Sequence, residues 1–95
     1  MTSFTLIQKA PDQVSCDLAG EAAILNLKTG IYYRLNPVGA YVWNLLSEPS
    51  TVVTLRDSVV ARYQVAPEEC ERDLFQLLND LAAEGLIERN AFQAL

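Results

Sequence analysis

Histidine is absent from this chain of 95 residues, and only two cysteines are present. Because histidine is the commonest general base and a frequent metal ligand near neutral pH, its absence weighs against an enzyme with its own catalytic centre and against a metal site. Cys16 and Cys70 do not form a CxxC pair, and each falls on an apolar-periodic position, so we interpret both as small buried apolar residues. We therefore expect no catalytic residue, no metal and no cofactor.

Long apolar runs are also missing. No run approaches the roughly 20 residues that span a membrane, and Met1-Thr2-Ser3-Phe4 lacks the basic start and apolar core of a secretion signal. We expect a cytoplasmic protein without a membrane partner. With 51% hydrophobic and 20% charged residues, the composition is typical of one globular domain. We assign that domain to residues 11–88, preceded by an arm or short strand over residues 1–10 and followed by a tail over residues 89–95.

Basic residues are scarce in the last third of the chain. Residues 1–67 contain five acidic and five basic side chains, whereas residues 68–88 contain seven acidic side chains and Arg72 alone. Nucleic-acid binding depends mainly on Lys and Arg that neutralise phosphates, so this distribution argues against a nucleic-acid partner. A cationic partner fits the charge better.

The first third of the chain reads as a three-stranded antiparallel sheet. Alternation from Val14 to Leu18 predicts a strand with Val14, Cys16 and Leu18 facing inward. The second strand follows, with Ala23, Leu25 and Leu27 on one face and Ile24 and Asn26 on the other. Lys28-Thr29-Gly30 has the form of a turn closed by a glycine bulge, so the second and third strands should pair as a hairpin.

The third predicted strand runs from Ile31 to Leu35. Ile31, Tyr33 and Leu35 share one face, and Tyr32 and Arg34 share the other. This strand lies last in the meander, where its outer edge has unpaired backbone groups guarded by Arg34 alone. An extended peptide could pair with such an edge as an added strand, with side-chain pockets supplying specificity.

Three helices are predicted after the strands. Asn36 and Pro37 have the form of an N-cap and a first-turn proline, which predicts a first helix from Pro37 to about Ser47 with Trp43 at the margin of the core. A second helix follows Thr51 and runs to about Tyr63, and a third opens at Pro67 and is terminated by Gly85. The predicted fold class is α+β, a winged-helix-turn-helix-like domain with a three-stranded antiparallel sheet followed by three helices.

One flank of the third helix combines an apolar side chain with carboxylates. Helical spacing places Leu77 beside Asp73, Asp80 and Glu84. This flank is either ordinary solvated surface or part of a binding site. A catalytic pair of Asp73 and Asp80 is unsupported, since seven helical residues separate them by about 10 Å along the axis.

An ordered series of motifs across residues 11–88 resembles the PqqD-like family. These proteins are peptide chaperones of pyrroloquinoline quinone biosynthesis and, more widely, the RiPP recognition elements of ribosomally made, post-translationally modified peptides. The residues that carry the resemblance are Leu25-x-Leu27-x-x-Gly30-x-Tyr32-x-x-Leu35-Asn36-x-x-Gly39-x-x-Val42-Trp43-x-Leu45-Leu46, Thr51-Val52-x-x-Leu55, Tyr63-x-Val65, Asp73, and Leu78-x-x-Leu81-x-x-x-Gly85-Leu86-Ile87.

The resemblance implies that the domain binds the leader of a precursor peptide as an extra strand beside the third strand and against the third helix. A free-standing copy with an acidic third helix is most similar to the leader-binding protein of split lasso-peptide systems, whose partner is a separate leader peptidase. Leaders of this kind typically carry an aromatic residue and a proline that dock in an apolar pocket. The implied leader-binding residues are Ile31, Tyr32, Tyr33, Arg34, Leu35, Asp73, Leu74, Leu77, Asp80, Leu81 and Glu84, although Leu74 and Leu81 also fit a wholly core role.

Other functions stay open at this point. A peptide chaperone of the quinone pathway itself would work with a radical-SAM enzyme. In either case the partner enzyme is a leader peptidase or another modifying enzyme. A winged-helix DNA-binding protein is a weaker alternative, because the third helix has almost no Lys or Arg. An enzyme subunit without chemistry of its own is a further alternative.

Overall fold

Two small antiparallel sheets and three helices make up the fold in the computed structural model, which describes residues 2–90. This architecture confirms the predicted α+β class with a three-stranded sheet and three helices. The elements in chain order are β1 (Leu6–Lys9), β2 (Gln13–Leu18), β3 (Glu21–Asn26), β4 (Tyr32–Leu35), α1 (Pro37–Leu45), β5 (Ser50–Thr51), α2 (Val52–Tyr63), α3 (Pro67–Ala83) and β6 (Ile87–Asn90).

The predicted meander is the sheet of β2, β3 and β4. β3 lies in the middle and pairs antiparallel with both neighbours, so that Leu25 lies opposite Val14 on one side and Tyr32 on the other. Gly30 adopts a φ of 74° and its N–H donates to the carbonyl oxygen of Asn26 at 2.8 Å. A positive φ is easily reached only by glycine, which explains why the hairpin turn ends there.

The second sheet was not predicted from the sequence. β1 lies in its middle, between β5 and β6, so residues from three distant parts of the chain come together. The region left open as an arm or a strand contains β1. Of the predicted tail over 89–95, the first two residues belong to β6, and 91–95 lie outside the described residues.

The three helices begin where the sequence predicts. Asn36 Oδ1 accepts a hydrogen bond from the Gly39 N–H at 2.8 Å, and the Thr51 hydroxyl accepts one from the Thr54 N–H at 3.3 Å. These side chains satisfy backbone donors that a helix leaves unpaired in its first turn. Gly39 also allows close packing, because a Cβ there would lie 3.2 Å from Leu35 Cδ2. The first helix ends at Leu45, slightly earlier than expected.

Trp43 lies in the core rather than at its margin, so the prediction for this residue was wrong. Its side chain is buried, its Nε1 donates to the Ser15 hydroxyl at 3.1 Å, and Lys9 Nζ lies 4.5 Å from the ring centroid. Ser15 belongs to β2 and Lys9 to β1, so the indole fills the space between the two sheets. The sequence of α1 shows one apolar stripe, and this pattern does not indicate that the side of the helix with Trp43 is covered as well.

The prediction of which face of β2 is buried was also wrong. Val14, Cys16 and Leu18 are exposed rather than buried, and Ser15 on the other face of β2 accepts a hydrogen bond from the buried Trp43. The alternating pattern separates the two faces of a strand correctly but does not say which face is covered. Here β3 decides, because Ala22, Ile24 and Asn26 are its buried side chains on the face that α1 covers. The burial expected of the second cysteine, Cys70, is confirmed.

No helix among residues 2–90 is both long and apolar enough to cross a membrane.

The corrected orientation of the sheet predicts unequal effects of two alanine substitutions on adjacent strands. Ile24→Ala removes a fully buried side chain and should lower the free energy of unfolding by about 2–5 kcal/mol. Val14→Ala on the opposite face should cost less than about 1 kcal/mol. Urea denaturation measures both values, and equal losses would contradict the assignment of the two faces.

Candidate functional site

The backbone groups of β3 alternate between its two neighbours. The Asn26 N–H donates to the carbonyl oxygen of Ile31 in the β4 direction at 3.0 Å, and the next N–H, of Leu27, donates to Asp12 before β2 at 2.9 Å. Even-numbered residues of β3 therefore form the hydrogen-bonded pairs with β4, and odd-numbered residues form those with β2.

This alternation determines what β4 leaves free. Tyr33 lies opposite Ile24, and Leu35 lies opposite Ala22, so both use their backbone groups to bind β3. Tyr32 and Arg34 are the residues between, and their N–H and C=O groups point away from the sheet. β4 is the last strand of its sheet in the described part of the chain. Its outer edge thus offers two donors and two acceptors in a regular row.

Helix α3 passes near β4 and runs in the opposite direction. Near its end, the Glu84 carbonyl accepts a hydrogen bond from Asn26 Nδ2 at 2.8 Å, beside the turn that leads into β4. Its first half meets the other end of β4, where Glu69 and Asp73 line a cavity together with Asn36. We call the region between β4 and residues 69–84, which lie in α3 and at its C-terminal end, the groove.

One end of the groove opens into an apolar cavity of about 470 Å³. This volume lies within the range of ligand-binding pockets, roughly 300–1,000 Å³. Helices α1, α2 and α3 all contribute to its walls. The lining residues are Asn36, Val38, Gly39, Val42, Val59, Tyr63, Val65, Ala66, Glu69, Cys70, Asp73, Leu74 and Leu77.

The charged groups along the groove are acidic. Glu69 and Asp73 lie at the cavity, and Asp80 and Glu84 lie near Tyr33 at the other end. Burial of the Tyr33 ring raises the pKa of its hydroxyl, and the carboxylates of Asp80 and Glu84 raise it further. The phenol therefore stays neutral at physiological pH. An extended chain that enters this groove meets apolar walls and negative charge.

The basic side chain of β4 does not neutralise these carboxylates. Arg34 Nη2 forms an ion pair with Glu21 Oε2 at 3.2 Å, on the opposite face of the sheet. A second cation, Arg62, lies with its guanidinium carbon 4.9 Å from the Tyr41 ring centroid and 5.6 Å from that of Tyr63. Since Tyr63 lines the cavity, the stacked guanidinium supports one of its walls.

Cys70 places a thiol in the wall of the cavity. Burial raises the pKa of its thiol, and nearby Asp73 raises it further. A thiol is a poor nucleophile while it is protonated, so this arrangement suits a packing role. Among residues 2–90, no group of three or more histidine, cysteine, aspartate or glutamate side chains is placed to hold a metal ion.

The structure distributes the candidate residues over the walls and the floor of this region. Tyr32 and Arg34 are exposed on the outer side of β4, and Ile31 is exposed where the strand begins. Tyr33, Leu77 and Asp80 are half-buried, while Asp73 and Glu84 are exposed on α3. The buried residues of the set, which support the site from the core, are Leu35, Leu74 and Leu81.

The sequence analysis missed the cavity. It also missed Asn26, which positions the far end of the groove. Val38 and Val65 line the cavity although one comes from α1 and the other from the loop before α3, and no periodicity connects them. Asn26 is buried on the inner face of β3. A polar residue on the same strand face as Ile24 was the available signal, because buried amides are retained only where they are hydrogen-bonded.

Comparison with known proteins gives consistent matches. A family described as coenzyme PQQ synthesis protein D (PqqD) matches residues 21–87. The solved structure "TbiB1 in Complex with the TbiA(beta) Leader Peptide" is 34% identical, with a TM-score of 0.80, and the match covers 85% of this chain and 94% of that one. The structure "Lasso peptide synthetase B1 complexed with the leader peptide" is 20% identical and shares the fold, with a TM-score of 0.75 over 86% of this chain and 96% of that one. A search of curated proteins found no match.

The position of α3 beside β4 predicts the titration of Tyr33. Asp80→Asn removes one of the two negative charges that raise the pKa of Tyr33, so this pKa should fall toward its ordinary value. The phenolate absorbance of the protein, minus that of a Tyr33→Phe variant, isolates this titration. Asp57→Asn, on α2, is the matched control. An unchanged Tyr33 pKa in the Asp80→Asn protein would contradict the proximity of helix and strand.

Proposed function

The chain belongs to the PqqD family, and on that premise we propose that it binds the leader region of a ribosomally synthesised precursor peptide. The peptide adds to β4 as a fourth strand, between β4 and α3, and the protein contributes recognition rather than chemistry. The observation that carries this proposal is the unpaired edge of β4 beside an apolar cavity.

Backbone pairing supplies the first part of the affinity. The N–H and C=O groups of Tyr32 and Arg34 allow four hydrogen bonds to an added strand. At about 0.5–1.5 kcal/mol net for each bond, they contribute roughly 2–6 kcal/mol before the cost of ordering the peptide. Because backbone groups are common to all sequences, these bonds favour any extended segment, and selectivity must come from side chains.

The cavity is the site for side-chain anchors. Its walls are mainly apolar and lie where β4 leads into α1, so a peptide paired with β4 reaches it by continuing along the groove. An aromatic residue and a proline, the pair that typically marks lasso-peptide leaders, fit this chemistry. Burying one aromatic side chain contributes about 1.5–3 kcal/mol, comparable to two or more backbone hydrogen bonds.

The acidic side of the groove defines the charge of the peptide. Asp73 at the cavity and Glu84 at the other end are exposed, and each favours Lys or Arg on the leader. Exposed charges mainly accelerate encounter and exclude wrong partners, and they add less to the final affinity.

Delivery to a leader peptidase is the second step of the proposed function. The likeness to TbiB1, at 34% identity over most of both chains, supports leader-peptide binding. The shared fold with a lasso peptide synthetase B1 bound to its leader peptide is consistent with a lasso-peptide system. The description of the matching family favours the alternative, a PqqD-type chaperone that presents its peptide to a radical-SAM enzyme in quinone biosynthesis. Both assignments use the same groove, and they differ in the enzyme that receives the peptide.

Calorimetric titration with two synthetic peptides tests the proposal. The first is the TbiA(beta) leader peptide, which is bound in the solved relative, and the second is the leader of the precursor encoded beside the gene of this chain. We expect a Kd of about 1 µM or lower for at least one of them. Asp73→Lys should weaken that binding by roughly three- to tenfold, mainly by slowing association.

Two controls keep the result specific. A scrambled peptide of the same composition should not bind, and Glu48→Lys, which reverses an exposed charge in the loop after α1, should leave the affinity unchanged. Absence of heat with both leaders, from a protein with a folded circular dichroism spectrum, would overturn the proposed function. Equal effects of the two charge reversals would remove Asp73 from the site.

A further inference from the structure

The sheet of β2, β3 and β4 has a second open edge, which belongs to β2. In the described part of the chain β2 pairs with β3 alone, and it is six residues long, whereas β4 has four. The even-numbered residues of β2 form the hydrogen-bonded pairs with β3. The residues between them have N–H and C=O groups that point away from the sheet, and they are Gln13, Ser15 and Asp17.

Little protects this edge from pairing with another strand. Native sheets blunt their edge strands with lysine, proline, a bulge or a covering element. β2 contains no lysine, arginine or proline, its one charged residue is Asp17, and five of its six residues are exposed. Its register with β3 is unbroken from Gln13 to Leu18, so no bulge interrupts this strand. A regular row of free backbone groups therefore faces solvent.

A flexible leader peptide is a poor occupant of the β2 edge. The groove offers a peptide a cavity as well as a strand edge, and none of the residues that line the cavity belongs to β2. Backbone hydrogen bonds alone give a small net gain, which the cost of ordering a flexible chain offsets. A strand that is already folded avoids this cost. The β2 edge therefore favours a preformed edge strand as its occupant.

The sequence of β2 is complementary to itself in one antiparallel register. When two copies pair about a twofold axis at Ser15, Gln13 lies opposite Asp17 of the second copy, which sets an amide against a carboxylate. All three outward-facing residues then form hydrogen-bonded pairs, and two bonds in each of three pairs give six. On the other side of the strand, Val14, which is 51% exposed in the single chain, lies opposite the apolar Cys16 of the second copy.

The neighbouring registers fit less well. A twofold axis at Cys16 keeps about four of these hydrogen bonds, because Gln13 then lies opposite the turn after β2. An axis at Val14 also keeps about four, because Asp17 then lies opposite Pro11, which has no N–H. An axis at Asp17 places two carboxylates directly opposite each other, which is destabilising. Hydrogen bonding and charge together select the register at Ser15.

We propose that the β2 edge is the interface of a homodimer, in which two copies pair antiparallel about Ser15 and form one continuous six-stranded sheet. The two β4 edges lie at the outer ends of this sheet, so each copy keeps its groove. The dimer therefore has two separate leader-binding sites, and leader binding and dimerisation are independent of each other. This inference goes beyond the proposed function and does not depend on it.

The interface is small, and the dimer is accordingly weak. Six residues with a rise of ~3.3 Å each give a contact about 20 Å long, and a sheet about 10 Å thick makes its area roughly 200 Å² on each copy. A stable interface buries about 800 Å² on each partner. We therefore expect a dimer Kd on the order of 100 µM, so that the single chain predominates at low micromolar concentration.

Disulfide trapping tests the register. In the proposed pairing, Val14 and Cys16 of the second copy form a non-hydrogen-bonded pair with Cα atoms about 4.5 Å apart, a distance that a disulfide spans. Val14→Cys should therefore give a covalent dimer on mild oxidation at about 100 µM protein, the expected Kd, measured on a non-reducing gel. In the original protein the two Cys16 residues lie on the diagonal, about 7–8 Å apart, and should form no covalent dimer.

Two cysteine variants control the assignment. The double variant Val14→Cys with Cys16→Ser lacks the opposite thiol, so its covalent dimer should disappear. Leu18→Cys lies on the same face of β2 but opposite Asp12 of the second copy, and it should form no covalent dimer. A covalent dimer of the original protein, of Leu18→Cys or of the double variant would overturn the register. Absence of a covalent dimer from a folded Val14→Cys protein would overturn the proposal.

Charge variants measure the same interface without a covalent bond. Gln13→Lys places a cation opposite Asp17 twice in the dimer, whereas Gln13→Asp places a second carboxylate there. The dimer Kd from sedimentation equilibrium should fall at least about threefold for Gln13→Lys and rise at least about threefold for Gln13→Asp. Glu48→Lys, in the loop after α1, also changes the net charge and should leave this Kd unchanged.

The outcomes separate this proposal from leader binding. Both Gln13 variants should bind the TbiA(beta) leader peptide within about twofold of the original affinity, because β2 is not part of the groove. Equal dimer Kd values for the two Gln13 variants, or sedimentation of the original protein as a monomer at concentrations about five times the expected Kd, would overturn the dimer. A protein that dimerises as described but binds no leader would contradict the proposed function alone.

Discussion

The groove depends on one buried amide, that of Asn26. Its Nδ2 donates to the carbonyl of Glu84 at the end of α3, and its Oδ1 accepts from the backbone N–H groups of Lys28 and Thr29 in the hairpin turn. One side chain thereby joins the turn that starts β4 to the helix on the other side of the groove. Gly85 completes the junction, because its φ is 71° and a Cβ there would lie 3.3 Å from Asn26 Nδ2. The turn that leads into β4 is thus tied to the C-terminal end of α3.

The geometry divides recognition between backbone and side chains. Tyr32 and Arg34 offer backbone groups that any extended peptide can use, which tolerates sequence variation in a partner. The cavity and the carboxylates of α3 add selection for apolar and basic side chains.

Local sequence signals predicted the parts of the fold that depend on neighbouring residues. The caps at Asn36 and Thr51 and the turn at Gly30 each follow from short-range geometry, and all three are present. The second sheet was missed because its strands are two to four residues long and come from distant parts of the chain. The orientation of β2 was predicted wrongly because it also depends on distant contacts. Whether Val14 faces in or out is decided by what β3 packs against. The alternation on β4 and the acidic flank of α3 could be predicted from sequence, whereas the cavity and the role of Asn26 are tertiary.

Hydrogen exchange of the backbone amides in β4 tests the central claim most directly. The N–H groups of Tyr32 and Arg34 point away from the sheet, whereas those of Tyr33 and Leu35 are already bonded to β3. An added strand should therefore slow exchange at Tyr32 and Arg34 by at least about tenfold, with much smaller changes at Tyr33 and Leu35. This alternating protection, measured by NMR with and without the leader peptide, is the predicted result. Leader binding without new protection at Tyr32 and Arg34 would contradict the account, because the peptide would then lie elsewhere than on the edge of β4.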